Sequence, residues 1–149
     1  MATSGNVVRE RRSAGNVMDR LRAQRTEMLV QFCRLAGVEP FGPDSDVQGL
    51  LQVFCQTLVD YVAAAHFLLY ERIVNGMERR RPLADLASNI YPQISHCTDI
   101  AIDFNDKYDC EDHCERLNEL PGDLSRLGIA LAERIELEDR LLAHMTVGA

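Results

Sequence analysis

The stretch that decides the fold runs from Asp46 to Met77 and reads DVQGLLQVFCQTLVDYVAAAHFLLYERIVNGM. It contains no proline, and its apolar residues recur at alternating intervals of three and four, which is the spacing of one helix face. The main row consists of Leu51, Cys55, Leu58, Val62, Ala65, Leu69 and Ile73, and a second row consists of Phe54, Tyr61 and Leu68. An apolar surface this broad predicts one long helix that neighbouring helices contact on more than one side.

One side of this helix has a different character. Asp60 and Phe67 are seven residues apart, so they project from nearly the same side of a helix, with the small residues Ala63 and Ala64 between them. This arrangement forms a shallow notch that a partner's side chains could enter. The plainer interpretation is that Phe67 belongs to the core and that Asp60 is a solvated acid. Periodicity alone favours the plainer interpretation, because aromatic residues at helical spacing mostly lie in cores.

The segment before this stretch predicts a first helix. Ser13 or Asn16 can cap its start, and Gly37 ends it. Its apolar stripe consists of Val17, Leu21, Met28, Phe32 and Leu35. Residues 1–12 are polar and basic and are expected to be a flexible N-terminus. Residues 13–149 are expected to form a single domain.

Two further long helices are predicted after the central one. Pro82 suits the first turn of a helix, and Pro92 predicts a kink within that helix, because proline cannot donate the backbone hydrogen bond. A short acidic helix over residues 110–120 precedes a last long helix that starts at Pro121-Gly122. The sequence therefore predicts an all-α fold: an antiparallel bundle of four long helices, one kinked at a proline, plus a short extra helix.

Composition limits the class of function. The formal net charge is −7, and residues 83–149 alone carry 14 acidic and 5 basic residues. Such a chain should repel nucleic acid and attract basic partners, although plain solubility is the simpler use of the charge. There is no uninterrupted apolar run of the roughly 18–20 residues that a membrane span needs, and no apolar signal segment at the start. We therefore expect a cytoplasmic protein that does not associate with membranes.

Cysteine and histidine residues suggest one alternative function. Cys110, His113 and Cys114 could face one side of a helix, and with His96 and Cys97 they could complete a four-ligand zinc site. The spacing lacks the second pair of ligands that structural zinc sites typically use, so the signal is weak. A small metal-binding or sensory helical bundle that uses Cys110, His113 and Cys114 remains the alternative to a protein without a metal.

Motifs for catalysis are missing from the sequence. It contains no glycine-rich phosphate loop, no paired-histidine metalloprotease helix and no nucleophile elbow. His66 could act as a base with Asp60 or Tyr70 near it, but a histidine within an apolar helix is usually a hydrogen-bonded structural residue. Cys33 and Cys55 are most simply small buried hydrophobic residues. The sequence predicts a non-enzyme with no cofactor.

Several motifs carry a resemblance to a known family. Asp60-Tyr61, His66-Phe67 and the run from Tyr70 to Ile73 resemble the signature helix of the Rsd/AlgQ family, bacterial regulators that bind the primary sigma factor of RNA polymerase. Further similar stretches are Met18-Asp19-Arg20, Leu35 to Pro40, Phe54 to Tyr61, Ile90 to Gln93 and Leu127 to Asp139. Together these stretches cover most of residues 17–142.

The resemblance implies a function and a site. It implies an all-helical bundle that binds the C-terminal domain of the primary sigma factor, the helix-turn-helix module that reads the −35 promoter element. Binding there would block both promoter contact and docking on the core polymerase. In the family, the positions that match Asp60 and Phe67 are tied to sigma binding, so the resemblance favours the partner-binding interpretation of the notch. The contact residues expected on this basis are Asp60, Ala63, Ala64, Phe67, Tyr70 and Glu71.

The departures from the family pattern concern partner choice. Leu21 and Tyr91 stand where the family commonly has tryptophan, and Ala65 replaces a common glycine. These changes are compatible with the fold. Some relatives bind other regulators, including a phosphocarrier protein and an alarmone enzyme, so the resemblance also admits other regulatory proteins as partners. Direct DNA binding is not expected.

Overall fold

Four long helices make up most of the chain in this computed structural model, which describes residues 2–41, 46–70, 81–109 and 116–147. We label them α1 (Ala2–Ala36), α2 (Val47–Ala65), α3 (Arg81–Tyr108) and α4 (Leu120–Val147). A π-helical turn, His66–Tyr70, continues α2, and a short 3₁₀ turn, Leu117–Glu119, precedes α4. Every regular element in the described ranges is helical, which confirms the predicted all-α fold class.

The four helices form a closed ring in which neighbours run antiparallel. α1 packs on α2, α2 on α3, α3 on α4, and α4 returns to α1. At one level of the bundle Phe54 of α2 lies between Phe32 of α1 and Phe104 of α3, with ring centroids 5.8 and 5.7 Å apart. These edge-on aromatic contacts fix the spacing of three helices at once. Gly128 of α4 lies close to the Phe32 ring, where a methyl group would be 3.0 Å from Cζ, so the glycine allows α1 and α4 to approach.

The central helix buries the faces that its periodicity predicts. Leu51, Leu58, Phe54 and Tyr61 are all almost completely buried. The predicted long helix is present, but its α-helical part ends at Ala65 and a π turn follows. The predicted continuation over residues 71–77 lies outside the described residues.

Averaged over its length, Val47–Leu68 is apolar enough and long enough to cross a membrane, and it alone among the helices in the described ranges meets this criterion. A helix at the centre of a bundle meets the same criterion. Leu51, Leu58 and Tyr61 are buried where α1 and α3 pack on this helix, and 33% of the apolar window is buried in the bundle.

The first helix departs from prediction in two respects. It begins at Ala2, so the prediction that it starts at Ser13 or Asn16 is wrong. The reason is that residues 2–12 include no proline and several good helix formers, so the helix can extend. Cys33 is exposed, not buried as predicted, because it follows Phe32 by one residue and is therefore rotated about 100° away from the inward face. Cys55 is buried as predicted, and burial raises its thiol pKa to about 12.

The third helix continues through its proline. Pro92 lies inside α3 on an exposed side, whereas Ile90 and Ile94 point into the core. The missing N–H of Pro92 removes one intrahelical bond, but the buried residues on either side hold the helix against its neighbours. The helix therefore continues past this proline, and the kink predicted at Pro92 stays a prediction. Of the predicted short acidic helix, residues 110–115 lie outside the described residues, and the 3₁₀ turn is the part that is seen.

A charged cluster joins the end of α3 to the start of α4. Asp123 accepts hydrogen bonds from Lys107 Nζ at 2.7 Å and Tyr108 Oη at 2.5 Å, and it pairs with Arg126. Burial works to raise the pKa of Asp123, but the hydrogen bonds from Lys107, Tyr108 and Arg126 outweigh it and lower the pKa to about 2. Lys107 also contacts Glu119 at 3.1 Å. The cluster ties the 3₁₀ turn and the first turn of α4 to α3.

Candidate partner-binding groove

An open apolar groove runs between α2 and α3, with α4 beneath it. Its volume is about 390 Å³. The α2 side of the groove is formed by Leu58, Val59, Val62 and Ala63, and the π turn adds His66 and Phe67. The α3 side includes Tyr91, Ile94, Ser95, Thr98, Ile102 and Asn105. Arg134 of α4 contributes to the inner wall.

Large apolar side chains along both walls are open to solvent. Phe67 is 61% exposed, Tyr91 49%, Ile102 48% and Val59 43%. Single exposed hydrophobic residues are normal on a protein surface, but a contiguous group of them along a groove is typical of a site that binds another molecule. The four side chains therefore mark this groove, rather than the opposite faces of the bundle, as the candidate functional site.

The π turn sets the direction of Phe67. In an uninterrupted α-helix Phe67 would lie almost directly above Asp60. A π turn takes in an extra residue, so residues in it lag behind their α-helical positions by up to about 100°. This lag turns Phe67 toward the side of Val59 and Ala63, with which it lines the groove. His66 packs edge-on against Phe67, with 5.2 Å between the ring centroids.

The residues predicted to form the notch are divided between the groove and the surface beside it. Ala63 and Phe67 line the groove together, whereas Asp60 and Ala64 are not among its lining residues. Asp60 is exposed on α2 beside the groove, and its Oδ1 accepts a hydrogen bond of 3.0 Å from Gln56 Nε2. The backbone of Tyr70 lies in the π turn. Its side chain and the whole of Glu71 lie outside the described parts of the chain.

Acidic side chains flank the groove on both sides. On α3 the exposed residues Asp99, Asp103 and Asp106 each follow a groove-lining position by one residue. On α2 Asp60 follows Val59 in the same way. A step of one residue turns a helix by about 100°, so these carboxylates lie beside the apolar lining and not within it. The groove therefore combines an apolar interior with negatively charged edges.

A buried ionic network holds the helices behind the groove. Glu138 of α4 is fully buried; its carboxylate accepts hydrogen bonds from Arg134 Nε at 2.8 Å and from Arg25 Nη2 of α1 at 3.2 Å. The Tyr61 hydroxyl of α2 donates a short hydrogen bond to the same carboxylate. Arg134 also donates to Thr98 Oγ1 of α3. One carboxylate and its partners thus connect all four helices, and Arg134 carries the connection to the groove wall.

The network also determines which groups stay protonated. Burial raises the pKa of Tyr61, and the negative charge of Glu138 raises it further, so the hydroxyl remains a hydrogen-bond donor. Two arginines balance the charge of Glu138, with Arg25 also reaching Asp139 at 2.8 Å. A buried charge is tolerated only when it is paired and hydrogen-bonded in this way. Hydrogen bonds to Glu138 and Thr98 therefore hold Arg134 in place at the groove wall.

Sequence reasoning missed two parts of this site. Arg134 and Glu138 lie four residues apart within an otherwise apolar face of α4, and a charged pair in such a position could have indicated a buried ion pair. Tyr91 and Ile102 were not assigned to a site. Both residues belong to a row at helical spacing on α3. Only the position of α2 shows that this row borders a groove.

The residues of the metal-binding alternative lie mostly outside the described part of the chain. This holds for Cys110, His113 and Cys114. His96 is exposed and Cys97 is buried, so these adjacent residues face different sides of α3. In the ranges that the structure describes, no group of three or more histidine, cysteine or acidic side chains is placed to hold a metal ion.

Fold and groove together describe an all-α bundle whose candidate site is an open, mainly apolar groove. The model of one protein family matches residues 1–146, and its description is "Regulator of RNA polymerase sigma(70) subunit, Rsd/AlgQ". The chain belongs to the Rsd/AlgQ family, as the sequence motifs predicted. Members of this family are regulatory binding proteins.

Individual relatives agree with this assignment. A protein named "Regulator of sigma D" from Enterobacter sp. (strain 638) is 37% identical over 135 residues, covering 87% of this chain and 80% of the relative. Proteins of the same name from Shigella dysenteriae serotype 1 and Escherichia coli O139:H28 are each 36% identical over 142 residues, covering 92% of this chain and 88% of the relative. No solved structure matches the chain.

Proposed function

We propose that this protein binds the primary sigma factor of RNA polymerase and acts as an anti-sigma regulator. The groove between α2 and α3, together with Asp60, would contact the C-terminal domain of the sigma factor, which recognises the −35 promoter element. Occupation of that domain would exclude promoter DNA and would prevent its docking on the core polymerase. The observation that carries the proposal is the exposed apolar groove with acidic edges in a chain of the Rsd/AlgQ family.

Charge supports this choice of partner. A domain that reads DNA presents arginine and lysine side chains to the phosphate groups. The edges of the groove present carboxylates from Asp60, Asp99, Asp103 and Asp106. Opposite charges at the edge of an interface accelerate encounter and fix orientation. The same basic side chains cannot contact this protein and DNA at once, which explains how binding would block promoter recognition.

The apolar lining supplies the affinity in this proposal. Interfaces derive most of their binding energy from a few well-packed apolar or aromatic residues near their centre. Phe67 is the most exposed of the large apolar side chains in the groove and lies in the π turn that continues α2. We propose it as the central anchor, with Ala63 beside it as a small residue that lets the partner approach. Ala64, Tyr70 and Glu71 remain predicted contacts.

The proposal describes a protein that works by binding and not by catalysis. The relatives are named as regulators, and the groove is lined mainly by apolar side chains. His66, the one candidate base, packs on Phe67 as part of the groove wall. Because RNA polymerase and its sigma factor work in the cytoplasm, we propose that the protein acts there too.

Co-elution with the purified primary sigma factor tests the proposal. A sizing column at low ionic strength should show a complex with the full-length sigma factor. The complex should be lost when the sigma factor lacks its C-terminal domain. In a second measurement, addition of this protein should reduce binding of the sigma factor to core polymerase.

Two results would contradict the proposal in different ways. If the full-length sigma factor and this protein elute separately, the proposed partner is wrong. If the sigma factor without its C-terminal domain still forms the complex, the partner is right but the site on it is wrong. An excess of an unrelated acidic helical protein serves as the control for non-specific attraction between charges.

A further inference from the structure

The α3 wall of the groove carries a regular stripe. Its positions are Tyr91, Ser95, Thr98, Ile102 and Asn105, all of which line the groove. Their intervals are four, three, four and three residues, which is the heptad spacing of a helix that packs along another helix. This spacing places the five residues in one row along α3, and a second helix can pack lengthwise on such a row.

The dimensions of the stripe fit one helix. From Tyr91 to Asn105 it spans 14 residues, or about 21 Å at the helical rise of 1.5 Å per residue. Ser95 and Thr98, in the middle, are small, whereas Ile102 toward one end is large and 48% exposed. Small residues in the centre of a helical seam let two helix axes approach closely, and larger residues at the ends pack against the flanks of the incoming helix.

Charge defines the chemistry of that helix. Asp99, Asp103 and Asp106 lie beside the stripe on α3. Asp60 lies at the opposite edge of the groove, on α2. A helix that lies in the groove would place its apolar face inward and its two flanking rows against these carboxylates. Rows of lysine or arginine would be attracted there, and acidic rows would be repelled.

We propose that the groove accepts a single amphipathic helix of about 14 residues, with an apolar face and basic flanks, seated lengthwise on the α3 stripe. This inference rests on the proposed function, because the helix is taken to belong to the sigma factor. It adds that α3, and not only α2, determines affinity. Ser95, Thr98 and Ile102 are then specificity residues, since filling or truncating them changes the space for the incoming helix.

Two substitutions in full-length protein test the role of the stripe. Ser95→Trp fills the middle of the groove and should reduce affinity for the full-length sigma factor at least tenfold. Ile102→Ala removes an exposed apolar contact and should reduce affinity about five- to tenfold. Matched controls are Ser125→Trp and Ile129→Ala, at exposed positions of α4 that do not line the groove. Both controls should bind within about twofold of the unmodified protein.

Photocrosslinking tests whether the occupant is one helix. A benzophenone amino acid is placed at Tyr91 or at Ile102 in otherwise unmodified protein, and the crosslinked residues of the sigma factor are mapped by mass spectrometry. The two positions are 11 residues apart on α3, about 16 Å along the helix. A single helix lying along the stripe should be labelled at two places roughly 7 to 15 residues apart within one continuous segment.

The outcomes separate this inference from the proposed function. If Ser95→Trp and Ile102→Ala bind as tightly as their controls while Phe67→Ala binds weakly, the helix-in-groove inference is overturned and the proposed function stands. Labels on two distant segments of the sigma factor would also overturn it. If the unmodified protein does not bind the sigma factor at all, the proposed function itself fails.

Discussion

Phe67 provides the sharpest quantitative prediction. A phenylalanine side chain buries roughly 150–250 Å² when it is fully enclosed. Phe67 is 61% exposed in the free protein, which leaves about 120 Å² for a partner to cover. At roughly 25 cal/mol per Å² this area corresponds to about 3 kcal/mol. Since the alanine keeps its β-carbon, we expect Phe67→Ala to cost about 2–3 kcal/mol of binding free energy, a 30- to 150-fold rise in Kd.

The same exposure predicts a small effect on folding. Less than half of the Phe67 side chain is buried in the free protein, so its removal should lower the free energy of unfolding by no more than about 2 kcal/mol. Circular dichroism should therefore show an unchanged helical content at 25 °C. Affinity is measured by isothermal titration calorimetry with the full-length sigma factor.

Ile129→Ala is the matched control for this measurement. Ile129 is 70% exposed, more than Phe67, but it lies on α4 and does not line the groove. Its replacement should leave Kd within about twofold. The reasoning is refuted if Phe67→Ala binds the sigma factor as tightly as Ile129→Ala does, or if both weaken binding equally.

Three further predictions follow from charged groups. Asp60→Asn should weaken sigma binding about two- to fivefold at low ionic strength and flatten the salt dependence of Kd, measured by titration at several salt concentrations. The control Asp19→Asn, at an exposed position of α1, should do neither. Glu138→Ala should lower the free energy of unfolding in urea by about 3–5 kcal/mol, because the buried Arg134 loses its carboxylate and Arg25 keeps only Asp139; a loss below 1 kcal/mol would contradict the role of the network. The depressed pKa of Asp123 contributes stability that is present above about pH 4 and is lost as the pH falls toward 2. Asp123→Asn should therefore remove about 1–2 kcal/mol of unfolding free energy at pH 7 and flatten the acid limb of the stability curve. An unchanged acid limb would count against this prediction.

Much of the bundle could be predicted from periodicity. The apolar stripes of α1 and α2 specify which faces turn inward, and Leu21, Leu51 and Leu58 are buried as expected. The start of α1 could not be predicted from capping residues alone, because Ser13 and Asn16 are tolerated inside a helix that already propagates. Capping signals indicate possible starts, and tertiary context selects among them.

The groove could not be predicted from local sequence patterns, because it lies between helices that are distant in the sequence. The π turn after Ala65 could not be predicted, because no residue in the run His66 to Tyr70 specifies it by itself. Without the π turn, Phe67 is predicted to lie closer to the side of Asp60 and farther from the side of Val59. The α3 wall could be seen as a helical stripe, but its exposure depends on the separation of α2 and α3. Contacts between distant segments decided both features.

The burial of Arg134 and Glu138 illustrates the same limit. Both residues lie on the apolar face of α4, although charged side chains are usually exposed to solvent. They are buried because Tyr61, Arg25 and Thr98 arrive from three other helices with matching donors and acceptors. Only the assembled bundle brings these groups together.

Methyl NMR of this protein during titration with the C-terminal domain of the sigma factor tests the central claim most directly. Val59 reports from the α2 wall of the groove, Ile102 reports from the α3 wall, and Ile129 reports from a surface outside it. The account predicts that the methyl signals of Val59 and Ile102 shift with the added domain while those of Ile129 stay in place. Shifts at Ile129 with unchanged signals from Val59 and Ile102 would contradict it.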